Sequence, residues 1–139
     1  MNTNKGNLLD VRIILAVLWA AGMLSSLNGD TYRLNDPVVL KSSLANSGSI
    51  AVTPELLLVM SSIFVGSIFM SVLTLTLKST VSRWANRIIG IFYAVIILAF
   101  WALGFVLRSP GYEFVWSTAQ LVFALMVVWY AWKWRNPEG

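Results

Sequence analysis

Apolar and polar residues follow one another along this chain in long blocks, without the short period of an amphipathic helix or strand. Four apolar blocks contain no charged residue, and they lie at Ile13–Leu27, Leu56–Leu77, Ile88–Leu107 and Phe114–Trp132. The hydrocarbon core of a bilayer, about 30 Å thick, is crossed by ~20 helical residues. With the residues that flank each block, the pattern predicts four membrane spans at about 8–27, 54–77, 84–107 and 112–132.

The polar segments between the blocks predict how the spans connect. Asn28–Thr53 is the longest, and within it Asp36 and Pro37 supply an N-cap and a first helical residue, which predicts a short helix. Arg108–Gly111 is a Pro-Gly turn, so the last two spans must be antiparallel neighbours. The sequence therefore predicts an all-α, four-transmembrane-helix bundle. It forms one integral membrane domain over 1–139, with a short helix between spans 1 and 2.

The first apolar block has a second interpretation. Ile13–Leu27 is also as long as the core of a signal peptide, and Lys5 and Arg12 would form its basic flank. The residues after Leu27 lack the small-x-small pattern of a cleavage site. We therefore expect an uncleaved span, lengthened at its N-terminal side to begin near residue 8.

Composition narrows the class of protein and the chemistry open to it. Hydrophobic residues make up 58% of the chain, charged residues 12%, and the mean hydropathy is +0.73. The net charge of +4 comes from basic residues beside the apolar blocks, so it indicates headgroup contacts and not nucleic-acid binding. The chain has no cysteine and no histidine, which removes thiol chemistry and the usual haem and zinc ligands. We expect no catalytic residue, no metal site and no cofactor.

Lysine and arginine are distributed unequally between the two sides. Seven lie on the side of the chain termini: Lys5, Arg12, Lys78, Arg83, Arg87, Lys133 and Arg135. Three lie on the other side: Arg33, Lys41 and Arg108. Because positive residues are retained in the cytoplasm, this bias predicts that both termini are cytoplasmic and that the loop with the short helix is outside.

Gln120 is the most polar residue deep within any apolar block. An amide in hydrocarbon must find partners, either as packing glue or at a ligand site. A groove for a lipid or a small lipophilic molecule would be lined by Gln120, Ser67, Ser71 and Tyr93. Trp19 and Trp101 lie inside their spans, where each either fills the core or stacks on a ligand.

Small residues at helical spacing predict where helices approach one another. The positions are Ser62 and Gly66 in span 2, Gly90 and Ala94 in span 3, and Ser117 and Ala124 in span 4. Without a hydrophobic driving force between helices in lipid, close backbone contact at such residues is the main source of packing energy.

Two glutamates, Glu55 and Glu113, open the helices of spans 2 and 4 on the outer side. If those ends are adjacent, the carboxylates could bind a cation or act as an acid–base pair. The alternative is that each complements the positive end of its own helix dipole, a contribution of ~0.3–1 kcal/mol.

Two segments carry a family resemblance. Ser82-Arg83-Trp84-Ala85-Asn86-Arg87-Ile88-Ile89-Gly90 and Trp129-Tyr130-Ala131-Trp132-Lys133-Trp134 resemble a family of small, uncharacterised bacterial four-span membrane proteins of about this length. The hydrophobic layout also resembles the broader DoxX-like class. Both resemblances imply a location in the bacterial inner membrane, and neither brings a catalytic residue to this chain.

Three functional classes follow. We favour a non-catalytic multi-pass protein of accessory, assembly or lipid-interacting type, whose partners are membrane lipids and either further copies of this chain or other membrane proteins. The alternative is a small oligomeric transporter or channel for a lipophilic or cationic solute, which would be expected to carry a charge inside a span. An enzyme acting on a lipid would need an acidic cluster. The four blocks contain neither feature.

Overall fold

The computed structural model describes residues 3–45, 47 and 53–134, with side chains from residue 11 onward. Over this part the chain forms helices only, in the order α1 Thr3–Asn35, α2 Pro37–Leu44, α3 Pro54–Thr76, α4 Ser79–Val106 and α5 Gly111–Lys133. The four helices α1, α3, α4 and α5 are long and apolar enough to cross a membrane. The predicted all-α class, the four long helices and the short helix between the first two are confirmed. The side chains of Lys5 and Arg135, used in the orientation prediction, lie outside the described residues.

The predicted limits of α1 and α4 are too short. The first span was expected to end at residue 27, yet α1 continues to Asn35 because its polar last turns pack on α5. Tyr32 stacks on Trp116 with ring centroids 5.5 Å apart, and a Cβ placed on Gly29 would lie 3.3 Å from the same tryptophan. α4 begins at Ser79 instead of residue 84. Hydropathy marks where lipid begins, whereas these helix ends are set by contacts between helices.

Both α2 and α3 begin with a side-chain cap, and the cap of α2 is the one predicted at Asp36 and Pro37. An Asp36 carboxylate oxygen accepts hydrogen bonds from the amides of Val38 and Val39 at 2.9 and 3.3 Å, and Pro37 occupies the first turn. The Thr53 hydroxyl accepts from the Leu56 amide at 3.2 Å at the start of α3. Both caps satisfy amides that have no partner inside their own helix.

The long helices pack in a ring in which α1 contacts α3 and α5, and α4 contacts α5 closely but α3 much less. We call the end with the α3–α4 connection at Leu77 and Lys78 the loop end, and the opposite end the α2 end. Large buried side chains of the core, such as Leu15, Trp19 and Val127, lie between the helices. Because α3 and α4 contact each other so little, they can separate towards the α2 end.

Small residues contribute unequally to this packing. A Cβ on Gly90 would lie 3.1 Å from a Val127 methyl carbon, so α4 and α5 approach closely there, and Ala94 and Ala124 are buried nearby. The prediction is wrong for Ser62 and Gly66 within this chain. The Ser62 hydroxyl is exposed and donates to Leu58 of its own helix, and a Cβ on Gly66 would meet nothing within 4 Å. Spacing identified a stripe of small residues on α3, but not whether that stripe faces a neighbour.

α4 ends in a Schellman motif at an unusual residue. The Ser109 amide donates to the Gly104 carbonyl at 3.0 Å, and the Arg108 amide donates to Phe105 at 3.3 Å. Arg108 has φ = 53°, in the left-handed region where glycine is the common residue. A side chain in this conformation costs about 1–2 kcal/mol, because its Cβ crowds the following carbonyl oxygen.

Replacement of Gly90 should separate α4 from α5. We expect Gly90→Leu to lower the free energy of unfolding by about 1–3 kcal/mol, as overpacking of a close contact does. The matched change Gly66→Leu should shift it by less than about 0.5 kcal/mol. Thermal unfolding in a mild detergent measures both. Equal losses at the two glycines would show that α3 uses Gly66 against a partner outside this chain.

Removal of the side chain at Arg108 should stabilise the end of α4. We expect Arg108→Gly to raise the free energy of unfolding by up to ~1 kcal/mol, which is the left-handed strain less the greater entropy of glycine in the unfolded chain. Arg108→Ala keeps the Cβ and should give no gain. If alanine and glycine behaved alike in thermal unfolding, backbone strain would not be the reason.

Candidate functional site

A cavity of about 510 Å³ opens between the long helices at the α2 end. Its walls are apolar, with Met60 and Phe64 on α3 facing Ile96 and Phe100 on α4. Phe100 is 42% exposed, so the cavity is not sealed on this side. Volumes of about 300–1,000 Å³ are typical of sites for small molecules and cofactors. The separation of α3 and α4 thus creates a recess of the size of a ligand site.

The rim of the cavity is charged. Four ionisable side chains line it: Asp30 and Arg33 from α1, Arg108 from the α4–α5 turn, and Glu113 from α5. The Arg33 Nε atom lies 2.9 Å from a Glu113 carboxylate oxygen, which ties the end of α1 to the start of α5. Charged side chains therefore lie directly above the apolar walls of the cavity.

The short helix α2 lies over this rim. Val39 and Ser42 are among its residues that line the cavity. The helix is held in place at its first turn, where the Tyr112 hydroxyl of α5 donates to the Asp36 carboxylate at 3.0 Å. That bond, with those from the Val38 and Val39 amides, holds the pKa of Asp36 below its usual value. The loop between the first two long helices is thus part of the site.

Gln120 lies at the floor of the cavity and is 9% exposed. Its side-chain amide donates to the Tyr93 hydroxyl at 3.0 Å. Beneath it, Tyr93 packs on Trp19 with ring centroids 5.1 Å apart. The floor is therefore one polar side chain, Gln120, bonded to a buried aromatic pair.

The six predicted pocket residues do not stay together. Gln120 and Trp101 line the cavity, and the Trp101 indole donates to the Thr118 hydroxyl at 2.9 Å. Trp19, Tyr93 and Ser67 are buried in the core, where the Ser67 hydroxyl donates to its own helix. Ser71 lies apart from them, on a shallow groove between α1 and α3. Of the small residues predicted for packing, Ser117 also lines the cavity.

The two outer glutamates serve different sites. Glu113 lines the cavity and pairs with Arg33, whereas Glu55 lies exposed in the first turn of α3 and is not part of the cavity. Each stands in the first turn of its helix, where a carboxylate complements the helix dipole. Among the described residues, no three acidic side chains lie together as metal ligands would.

Sequence reasoning missed a buried polar cluster near the loop end. The Asn86 side-chain oxygen accepts from the Trp19 indole at 2.8 Å, and its amide donates to the Thr74 hydroxyl at 2.9 Å and the Ser82 carbonyl at 2.8 Å. The Ser82 hydroxyl in turn donates to the Thr74 carbonyl at 3.0 Å. Three of these residues, Asn86, Thr74 and Ser82, are fully buried. The signal was present in the sequence as an asparagine one turn after a serine at the start of α4.

Two arginines also had roles beyond topology. Arg12 of α1 donates to the carbonyls of Thr74, Leu75 and Leu77 at the end of α3, at 2.9 Å for Thr74. Arg87 of α4 donates to the Ala131 carbonyl at the end of α5 at 2.9 Å. Each arginine therefore caps a neighbouring helix, where carbonyls lack partners and the dipole is negative.

Comparison with known proteins agrees with this description. A family model of the family of unknown function DUF6326 matches residues 8–138. The chain therefore belongs to this family, which fits the resemblance to an uncharacterised four-span family and lends no support to the DoxX-like class. Searches of curated proteins and of solved structures found no match.

Loss of the Asn86 side chain should weaken the loop end. We expect Asn86→Leu to lower the free energy of unfolding by about 1–3 kcal/mol, because the buried Trp19 indole would lose its acceptor and the buried Thr74 hydroxyl would lose the amide that donates to it. The matched control is Thr118→Val, which removes the acceptor of the Trp101 indole at an exposed position. It should cost about 0.6 kcal/mol, the mean for hydrogen bonds between membrane helices. Thermal unfolding of both variants in detergent checks the order, and a larger loss at Thr118 would contradict it.

Proposed function

We propose that this membrane protein is non-catalytic and that it holds a lipid-type amphiphile in the cavity at the α2 end. The observation that carries this proposal is the order of chemistry along the cavity. A rim with charges at Asp30 and Arg108 stands above apolar walls such as Met60 and Phe100. An amphiphile presents the same order from headgroup to chain, so its two parts match the two parts of the site.

The polar groups of the site favour ligand binding over catalysis. The Gln120 amide is engaged by Tyr93, and Glu113 is engaged by Arg33. A nucleophile paired with a base, or a general acid paired with a base, would require two such groups facing a common reacting atom. Binding needs only the shape and the charges that the cavity supplies.

The same reasoning suggests where the protein acts. We place it in the bacterial inner membrane, as the family resemblance implies, with both termini in the cytoplasm, as the lysine and arginine bias predicts. Trp84, Trp129 and Trp132 are exposed near the loop end, as expected for side chains at a membrane interface. Its partners in this proposal are lipids, and copies of itself or other membrane proteins packed on the exposed apolar faces. Nucleic acid has no place in it.

A transporter or channel is the competing function, and the floor of the cavity weighs against it. A solute that reached Gln120 would meet the buried Tyr93–Trp19 pair and then the Asn86 cluster. Passage would require these contacts to open. Accessory, assembly or lipid-interacting roles need no such opening.

The proposal predicts that the cavity contains bound lipid. We expect the wild-type protein, extracted in a mild detergent, to retain lipid when its mass is measured by native mass spectrometry. Met60→Trp should fill the cavity and reduce the retained lipid by about tenfold or more, since a well-packed apolar contact is worth 1.4 kcal/mol or more.

Val59→Trp is the matched control, because Val59 is exposed on the same turn of α3 and does not line the cavity. It should leave lipid retention unchanged. Equal retention in wild type and Met60→Trp would contradict the cavity as the binding site. In reconstituted vesicles, a flux of cations or lipophilic amines in wild type that is lost in Gln120→Leu would favour the transporter instead.

A further inference from the structure

In the described part of the chain, some charged side chains at the rim form a salt bridge and others do not. Arg33 and Glu113 form an ion pair with each other. Asp30 and Arg108 also line the cavity, and among the described residues neither forms a salt bridge. Asp30 lies near enough to Arg33 and Glu113 to interact with the charges of both, but within the described ranges it forms no direct ion pair. One negative and one positive side chain without a direct ion pair thus line the same opening.

The backbone conformation of Arg108 is an independent observation that indicates a binding role for this residue. It occupies the left-handed position of the Schellman motif, where glycine would be relaxed. Strained conformations persist where the surrounding structure imposes them, and they concentrate at binding sites. Here the strained residue is the one whose guanidinium, in the part of the chain that the structure describes, lines the cavity without a salt bridge. The same turn built with glycine would hold the helices equally well but would lack that charge.

We infer that the occupant of the cavity is a zwitterionic phospholipid, with its phosphate on Arg108 and its ammonium group on Asp30. This inference rests on the proposed function and names its ligand. A guanidinium matches phosphate in charge and in the geometry of its donors. A carboxylate accepts from, or attracts, an ammonium group. Ser26 and Ser42 also line the cavity as neutral polar residues, and the Ser42 hydroxyl already donates to the Val39 carbonyl at 2.8 Å, which leaves its oxygen as an acceptor.

Charge balance distinguishes this ligand from the two alternatives. The four charged side chains that line the described rim sum to zero, and the two outside the Arg33–Glu113 ion pair, Asp30 and Arg108, are of opposite sign. An anionic lipid would leave Asp30 facing a headgroup of the same sign. A cationic amphiphile would leave Arg108 in that position. Only a headgroup that carries both signs meets both side chains favourably.

The acyl chains have an exit. The walls below the rim are apolar, and Phe100 and Leu103 are both cavity-lining and exposed. Since the walls are open between α3 and α4, the cavity needs to enclose only the headgroup and the first part of the chains, and the remainder can lie in the bilayer.

The test is a competition between phosphatidylethanolamine and phosphatidylglycerol with identical chains. Purified full-length protein is equilibrated with mixed micelles containing equal amounts of the two lipids, and bound lipid is counted by native mass spectrometry. Wild type should retain the zwitterionic lipid in preference by about tenfold, the size expected from one charge-assisted contact. Asp30→Asn leaves a net positive rim and should reverse the preference towards phosphatidylglycerol.

Arg108→Gly should abolish phosphate recognition, and the backbone argument predicts that it folds at least as well as wild type. It should lose about tenfold in retention of phosphatidylethanolamine relative to wild type. Lys41→Gln is the matched control, since it removes one positive charge from α2 outside the cavity lining. It should keep the wild-type preference.

The outcomes separate the two proposals. Retention of both lipids in equal amounts, unchanged in Asp30→Asn and Arg108→Gly, would overturn the headgroup assignment while the loaded cavity stands. Retention of neither lipid would overturn both. A preference for phosphatidylglycerol in wild type would overturn the zwitterion and indicate an anionic lipid. Phosphatidylcholine in a third arm shows whether the ammonium hydrogens are needed.

Discussion

The side chain of Asn86 joins three helices near the loop end of the bundle, and the rest of the architecture depends on that junction. It accepts from Trp19 of α1, and it bonds to Thr74 of α3 as well as to Ser82 of its own helix α4. In a bilayer, no water competes for these groups, so each needs its partner inside the protein. The junction fixes α3 beside α4 where they are joined by a short loop. It leaves their far ends free to diverge, and the cavity occupies the resulting space.

The two ends of the bundle satisfy their backbone groups differently, and this asymmetry localises the site. At the loop end, Arg12 and Arg87 reach across to the final carbonyls of α3 and α5, which binds neighbouring helices together. At the α2 end, side chains link α1 to α5, among them the Arg33–Glu113 pair and the Tyr32–Trp116 stack, and α4 ends in its own Schellman motif. The last carbonyls of α4 accept hydrogen bonds from the turn that follows, so they need no neighbouring helix. The α2 end can therefore open without leaving carbonyls of α4 unpaired.

Much of the fold was predictable because lipid imposes a simple rule on long segments. Uncharged blocks of the right length gave all four long helices, and Asp36-Pro37 gave α2 with its cap. The ends of α1 and α4 were not predictable from hydropathy, since contacts such as Tyr32 on Trp116 decide them.

The site was predictable only in part. Gln120 was noticed because it lies deep within an apolar block, and it does lie at the cavity floor. The spacing of small residues, however, predicted close helix packing at Gly66 and at Gly90 alike. Only the packing of Val127 beside Gly90 distinguishes them. The Asn86 junction was missed because the Ser82–Asn86 spacing, although visible in the sequence, does not show that side chains from three helices meet there.

A cavity in so small a bundle has an energetic consequence. Empty apolar space forfeits contacts, at about 24 cal/mol for each Å³ left by an unfilled side chain. A recess open to the bilayer need not remain empty, because acyl chains of the surrounding lipid can supply those contacts. Anything that binds the folded chain and not the unfolded one raises its stability in proportion to the logarithm of its concentration. The separation of α3 from α4, which would weaken an isolated bundle, is thus compatible with a stable protein in lipid. The lipid that we propose for the cavity would therefore be a structural component as well as a ligand, and Asp30 and Arg108, which line the cavity, would select which lipid fills that place.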